Sequence, residues 1–347
     1  MNTAPPPSDE TRRARSGVFY GLAAYSWWGL VVLYFKAVSH VPELEVLAHR
    51  VLWSMLLLGL LVTLRGRWRE AAAALRNRKT ALTLVATTVL VASNWFVFIW
   101  AMSNNEVVQA SLGYFINPLV NVLLGFLFLK ERLRKWQWFS VVLAFTGVAY
   151  MTLGVGQFPW IAVFLATAFG LYGLLRKTVA VDSLLGQTVE TAFLLPVALG
   201  YLGYLALNDS MAFLHVDLGT DVLLMAAGVV TATPLLWFAT AARRLRLATL
   251  GFLQYIAPTS QLLLGVLVFG EAFTQDHQIA FTLIWAALAV YTADAVREQY
   301  ANARRPRPLP QCESAQQNVY GYCICQAAGR AGKKGVCRLA EKKAESS

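Results

Sequence analysis

Residues 118–131 read PLVNVLLGFLFLKE, and residues 258–271 read PTSQLLLGVLVFGE. Both follow the pattern P-x6-G-x5-E, from Pro118 through Gly125 to Glu131 and from Pro258 through Gly265 to Glu271, with apolar residues in most gaps. Leu112-Gly113 precedes the first copy. Leu250-Gly251 precedes the second, two residues further from its proline. The offset is 140 residues, room for five membrane-length helices. An odd number of spans turns the second copy over in the bilayer, which is how many secondary transporters are built. Gly29 and Gly170, and Lys36 and Lys177, recur at an offset of 141 and carry the repeat to the first helix of each half. Two unrelated apolar helices resemble one another by default, but they do not share matched Pro, Gly and Glu spacing.

Composition points the same way. The 347 residues are 57% hydrophobic and only 14% charged, too apolar for a soluble chain of this length. The apolar runs lack the strict alternation of barrel strands, so they are read as helices that satisfy their own backbone in lipid. The net charge of +11 has a simpler source than nucleic-acid binding, namely basic cytoplasmic loops beside anionic headgroups. At about 20 residues per span, ten spans are expected: 17–38, 44–64, 80–102, 108–129, 137–154, 158–175, 184–206, 221–242, 248–269 and 279–296.

Lys and Arg crowd the segment before the first span and the loops after the second, fourth, sixth and eighth. Loops 103–107, 155–157, 207–220 and 270–278 have none. Both termini are therefore expected in the cytoplasm. Segment 1–15 reads as a polar cytoplasmic lead, not a signal peptide. Residues 16–154 and 155–297 read as the two repeats, leaving 298–347 as a basic, disordered tail. All four cysteines (Cys312, Cys323, Cys325, Cys337) lie in that tail, at spacings that fit no zinc site. No metal or cofactor is expected.

Polar groups within spans are costly and need a reason. Glu190 lies several residues into the seventh span. It reads either as a proton-coupling or amine-binding group, or as a structural partner for a neighbouring helix. Arg50 opens the second span beside His49, Trp53 and Ser54. It could clamp a substrate carboxylate, pair with Glu190, or snorkel to the outer interface near Glu43 and Glu45. His49 reads as structural, and Lys36 and Lys177 as interfacial anchors. Asn94 and Trp95 lie inside the third span. Tyr114, Asn117 and Asn121 share one face of the fourth, either lining a cavity or fastening helices together. Pro118, Pro196, Pro234 and Pro258 interrupt spans, and the repeat singles out Pro118 and Pro258 as hinges.

The runs HRVLWS (49–54), Asn94-Trp95 with Trp100, LGYFINPL (112–119), Glu131-Arg132-Leu133, LYGLLRK (171–177), and Glu190 with Pro196 resemble the RarD family. That family belongs to the EamA-type drug/metabolite transporters. The resemblance spans about residues 16–297 and implies ten helices in two five-helix repeats, set in a bacterial inner membrane. It also implies chloramphenicol-permease-like transport, most often export, of a small metabolite or drug. The expectation is thus an all-α polytopic membrane protein with ten transmembrane helices in two inverted five-helix repeats, working by alternating access. Its solute site would comprise Arg50, Trp53, Asn94, Trp95, Tyr114, Asn117 and Glu190. Arg50 would hold an anionic group, Glu190 a proton or amine, the rings the apolar parts of the solute, and the two asparagines its orientation. The partners are the solute and the lipid bilayer, not nucleic acid, and a homodimer stays open. Two rivals are an intramembrane enzyme, for which no HExxH, GxSxG or paired membrane carboxylates are found, and a non-transporting scaffold, which needs neither inverted repeats nor a buried acid.

Overall fold

A computed structural model describes residues 9–130, 132–155, 158–179, 181–242, 244–245 and 253–304. The elements are α1 (Asp9–Ala37), α2 (Glu43–Leu64), α3 (Trp68–Arg76), α4 (Arg78–Ser103), α5 (Val107–Leu129), α6 (Lys135–Val155), α7 (Trp160–Thr178), α8 (Ser183–Leu207), α9 (Leu218–Ala242), α10 (Ile256–Leu263, continued by a π-helical turn over Leu264–Val268) and α11 (Gln275–Arg304). Among the described residues, eight helices are long and apolar enough to cross a membrane, and α7 and α10 are apolar but shorter. The chain is a polytopic, all-helical membrane protein. It divides into two units, 1–296 and 297–347. In the second, the described part is the helical stretch 297–304.

Three details differ from the sequence reading. The loop expected at 65–79 contains α3, whose sequence WREAAAALR is built from strong helix formers. α1 begins at Asp9, so the polar lead is helical from there. α11 continues to Arg304 through expected tail residues, because VREQYANAR contains no breaker and Pro306 is the first residue unable to continue a helix. In the ninth expected span, residues 248–252 lie outside the described residues, as do Glu131 and the four cysteines.

Lipid offers no hydrophobic drive for helix association, so close approach of small residues must hold the bundle. A Cβ on Gly29 of α1 would lie 2.6 Å from Ser260 Cβ of α10; one on Gly113 of α5 would lie 2.8 Å from the Ala162 carbonyl oxygen of α7. At Gly170 the imagined Cβ meets Leu124 Cδ1 at 2.9 Å and Val120 Cγ1 at 3.1 Å. At Gly228 of α9 it meets the Trp53 carbonyl oxygen of α2 at 2.5 Å. These crossings build the core: α1 packs on α9 and α10, α2 on α8 and α9, and α7 on α4 and α5. Large apolar side chains such as Leu153 and Leu207 are left on the outside, where lipid solvates them.

Pro118, Pro196 and Pro234 lie inside helices that continue through them. Each leaves a carbonyl four residues upstream without its helical donor. At Pro234 that carbonyl belongs to Val230, and the Trp27 indole N–H of α1 donates to it at 3.0 Å. Pro258 is the third residue of α10, just after the helix breaks at Gln254–Tyr255.

Candidate functional site

Arg50 lies seven residues into α2, and Glu190 seven residues into α8. At 1.5 Å per residue each is about 10 Å from the start of its helix. They are 140 positions apart, the offset that relates Pro118 to Pro258. The structure does not pair them.

Glu190 is 2% exposed, and its carboxylate is fully engaged. Thr87 Oγ1 of α4 donates to Oε1 at 2.7 Å, Tyr172 Oη of α7 donates to Oε2 at 3.2 Å, and Arg176 Nε lies 3.8 Å from Oε1. Arg176 reaches this position because residue 186 is glycine: any Cβ there would run into its guanidinium. Arg176 Nη2 also donates to the Asp182 carbonyl oxygen at 3.2 Å. Asp182 in turn forms an ion pair with Arg67, which binds Glu70 as well. Of the readings open for Arg50, a pair with Glu190 is not the one the structure shows, since Glu190 takes its cation from the end of α7.

Arg50 has no carboxylate partner among the described residues. Its guanidinium carbon lies 4.2 Å from the centre of the Trp95 ring and 5.6 Å from that of Phe35. The rings of Tyr34 and Tyr114 belong to the same aromatic cluster, Tyr34 5.0 Å from Phe35 and Tyr114 5.8 Å from Phe98. Nε is sealed from solvent without a hydrogen-bond acceptor. Two cation–π faces are worth about 0.5–2 kcal/mol each, whereas an unpaired ion in such surroundings costs several kcal/mol. Arg50 thus does not snorkel: its head is held between α1, α4 and α5. The surrounding rings form an edge-to-face chain, with Phe35 5.7 Å from Phe98 and Phe98 5.8 Å from Tyr114.

Trp53, one turn below His49, donates its indole N–H to His49 Nδ1 at 3.3 Å and faces Phe213. His49 Nε2 lies 4.0 Å from Glu45 Oε1. Glu45, fully buried, accepts at Oε1 from the backbone N–H groups of Ala212 and Phe213, fixing the loop between α8 and α9. Asn94 and Asn117 are used for fastening. Their Nδ2 groups donate to the Leu165 and Ala166 carbonyl oxygens of α7, at 3.0 and 3.2 Å. Lys36 Nζ donates to the Met102 carbonyl oxygen and to Asn105 Oδ1, closing the end of α4.

The expected residues therefore fall into two clusters. Arg50 and Trp95 meet, with Tyr114 joined to them through the rings of Phe98 and Phe35 and Trp53 a turn along α2; Glu190 stands with Thr87, Tyr172 and Arg176. Sequence reading missed Phe35, Tyr34 and Thr87, which carry no pattern of their own. Tyr172 and Arg176 were within reach, since both belong to the LYGLLRK run. A groove of about 730 Å³ lined by Phe115, Tyr255, Thr259 and Trp285, among others, includes none of these groups and is almost entirely apolar. We assign it no role at the site.

The chain matches the EamA-like transporter family over residues 15–153. It is 48% identical over 294 residues to an uncharacterized transporter of Vibrio cholerae, covering 85% of this chain and 97% of that protein. It is 46% identical over 290 residues to the protein RarD of Salmonella typhi, covering 84% and 99% respectively. A crystal structure of a protein 22% identical superposes with a TM-score of 0.52 over 82% of this chain and 99% of the other, a likeness of fold alone.

Proposed function

Because this chain belongs to the RarD family of EamA-like transporters, we propose that it is a secondary transporter, carrying a small metabolite or drug across the bacterial inner membrane by alternating access. The observation that carries this reading is Arg50, a cation held inside the bundle with aromatic faces around it and no anion of the protein's own. A scaffold has no use for such a group, whereas a solute site does. Trp53, Trp95 and Tyr114 supply the rings on which the solute rests. Asn94 and Asn117 hold the surrounding helices in register.

The ten apolar helices form two inverted repeats of five: α1, α2, α4, α5 and α6 against α7, α8, α9, α10 and α11. The packing supports this. Exchanging the halves turns the α1–α9 contact into α7–α4, α1–α10 into α7–α5, and α2–α9 into α8–α4, and all six are present. The repeat-matched Gly29 and Gly170 likewise face repeat-matched Ser260 and Val120. The basic loops put the Arg67 end, and both termini, in the cytoplasm. Pro118 and Pro258 are the flexible points about which the halves rock.

Glu190 is the coupling group. Protonation cancels the charge that holds Arg176 and frees the link between α7 and α8 at the cytoplasmic end. Glu190→Gln is expected to abolish the dependence of flux on a proton gradient. Unchanged flux with unchanged pH dependence sinks that assignment. Alternating access is tested with Tyr114→Cys in a chain whose four tail cysteines are replaced by serine. An impermeant maleimide should label position 114 from either face of the membrane, in right-side-out and in inverted vesicles. Labelling confined to one face contradicts the mechanism.

A further inference from the structure

We infer that the solute is an organic monoanion with an apolar or aromatic body, not an amine, a zwitterion or a dianion. The inference rests on the transport reading above and specifies the chemistry of the Arg50 site.

It follows from an account of the charges within the bundle. A bound amine needs a carboxylate with capacity to spare, and among the described residues the acids within the bundle are each held by groups of the protein, with Glu45 Oε2 the one buried carboxylate oxygen left without a partner. Glu190 is engaged by Thr87, Tyr172 and Arg176. Glu45 accepts two backbone N–H groups of the 212–213 loop. Glu271 accepts from the first two N–H groups of α5, Val107 at 2.8 Å and Val108 at 2.7 Å. Asp221 accepts from Leu214 N–H at 2.7 Å. The cations are committed as well: Arg176 to Glu190, and Lys36 to the Met102 carbonyl and Asn105. Arg50 is left as one uncompensated positive charge.

A ligand bearing a single negative charge brings that site to neutrality. A dianion strands a negative charge in a low-dielectric interior, and an amine adds a second positive one. A zwitterion, neutral overall, leaves the charge of Arg50 uncompensated. The guanidinium also sets the form of the anion. Its flat face lies on Trp95, and at its edge Nε–H, sealed from solvent, lacks an acceptor. Two oxygens of one carboxylate match that edge, through Nε and a neighbouring Nη. The apolar requirement comes from the lining, since the rings of Trp95 and Phe35 lie beside the guanidinium, and Tyr34, Phe98 and Tyr114 continue the same aromatic cluster.

The test holds the ring constant and varies the charge. The full-length protein in lipid nanodiscs is mixed with benzoate, phthalate, phenylalanine or benzylamine, with hexanoate as the ring-free monoanion. The thermal unfolding midpoint and the calorimetric affinity are recorded. Benzoate, hexanoate or both should raise the midpoint, and the other three should not. Arg50→Gln should weaken the bound monoanion about 10–100-fold, the range for a charge-assisted hydrogen bond. Arg50→Lys, which keeps the charge but loses the fork, should preserve the order of preference at lower affinity. Stabilisation by benzylamine or phenylalanine in place of the monoanions overturns the charge assignment. Phthalate binding as tightly as benzoate overturns the single charge. No stabilisation by any compound, or stabilisation indifferent to Arg50→Gln, removes Arg50 as the ligand group. None of these results touches the transport reading, which flux measurements judge separately.

Discussion

Gly228→Ala puts a methyl group where α9 crosses α2. The new Cβ would lie 2.5 Å from the Trp53 carbonyl oxygen, 2.6 Å from its carbonyl carbon and 3.0 Å from its Cβ. An ordinary contact begins near 3.4 Å, so the helices must part by about 0.9 Å at this point. Two of the three atoms are backbone and cannot rotate aside. Overpacking of this kind costs about 1–3 kcal/mol, and the rigid obstacle argues for the upper end. Replacing glycine by alanine inside a helix returns about 1 kcal/mol of propensity, leaving a net loss of about 2 kcal/mol. Gly200→Ala is the control, because a Cβ at 200 meets nothing within 4 Å. That variant keeps the propensity gain and should be stabilised by up to about 1 kcal/mol. Equilibrium unfolding in mixed detergent–SDS micelles reads both. The reasoning is refuted if Gly228→Ala is as stable as the parent, or if the two variants shift in the same direction.

Three further outcomes are expected. Trp27→Phe leaves the Val230 carbonyl without a donor and should cost about 1–3 kcal/mol; adding Pro234→Ala restores a backbone N–H and should recover most of it, and an additive double variant contradicts the account. Tryptophan is a donor only, so its bond to His49 Nδ1 requires the neutral ring to carry its proton on Nε2; nitrogen-15 NMR of histidine-labelled protein, with His49→Gln for assignment, should show that tautomer, and an Nδ1–H signal excludes the bond. Outside the membrane, the hydrogen bond from Arg67 holds the Glu70 carboxyl below its ordinary value of 4.5. A lowered carboxylate stabilises the fold above pH 4.5, and that contribution fades as pH falls through the lowered value. Amide protection at the start of α3, corrected for intrinsic exchange rates, should therefore drop on acidification, and Glu70→Gln should remove the drop; pH-independent protection in the parent rules this out.

The membrane body was legible because lipid imposes a length and a polarity on every helix. For seven of the ten expected spans, each boundary falls within four residues of a described helix end; the first and tenth differ at the start of α1 and the end of α11, and the expected start of the ninth lies outside the described residues. Helices at the interface were less legible. α3 and the end of α11 are polar, and only propensity marks them. Within the site, the sequence distinguished Arg50 and Glu190 as expensive groups but not their partners. A pair between them was one of the open readings, yet the partner of Glu190 is decided by Gly186, whose missing side chain gives Arg176 room. The asparagines show the same limit. A carboxamide inside a span serves a solute or a carbonyl equally well on paper, and only the bundle reveals the Leu165 and Ala166 oxygens within reach. Phe35 looks like any other aromatic residue of a span until the bundle brings its ring to 5.6 Å from the Arg50 guanidinium carbon.

The central claim is that solute crosses this protein through the site at Arg50. Uptake into proteoliposomes of labelled amino acids, amines, phenicol drugs and carboxylates, with and without an imposed pH gradient, tests it most directly. The account predicts uptake of a carboxylate above protein-free liposomes, steepened by the gradient and lost in Arg50→Gln. Uptake that Arg50→Gln leaves untouched, or no uptake of any solute, contradicts it.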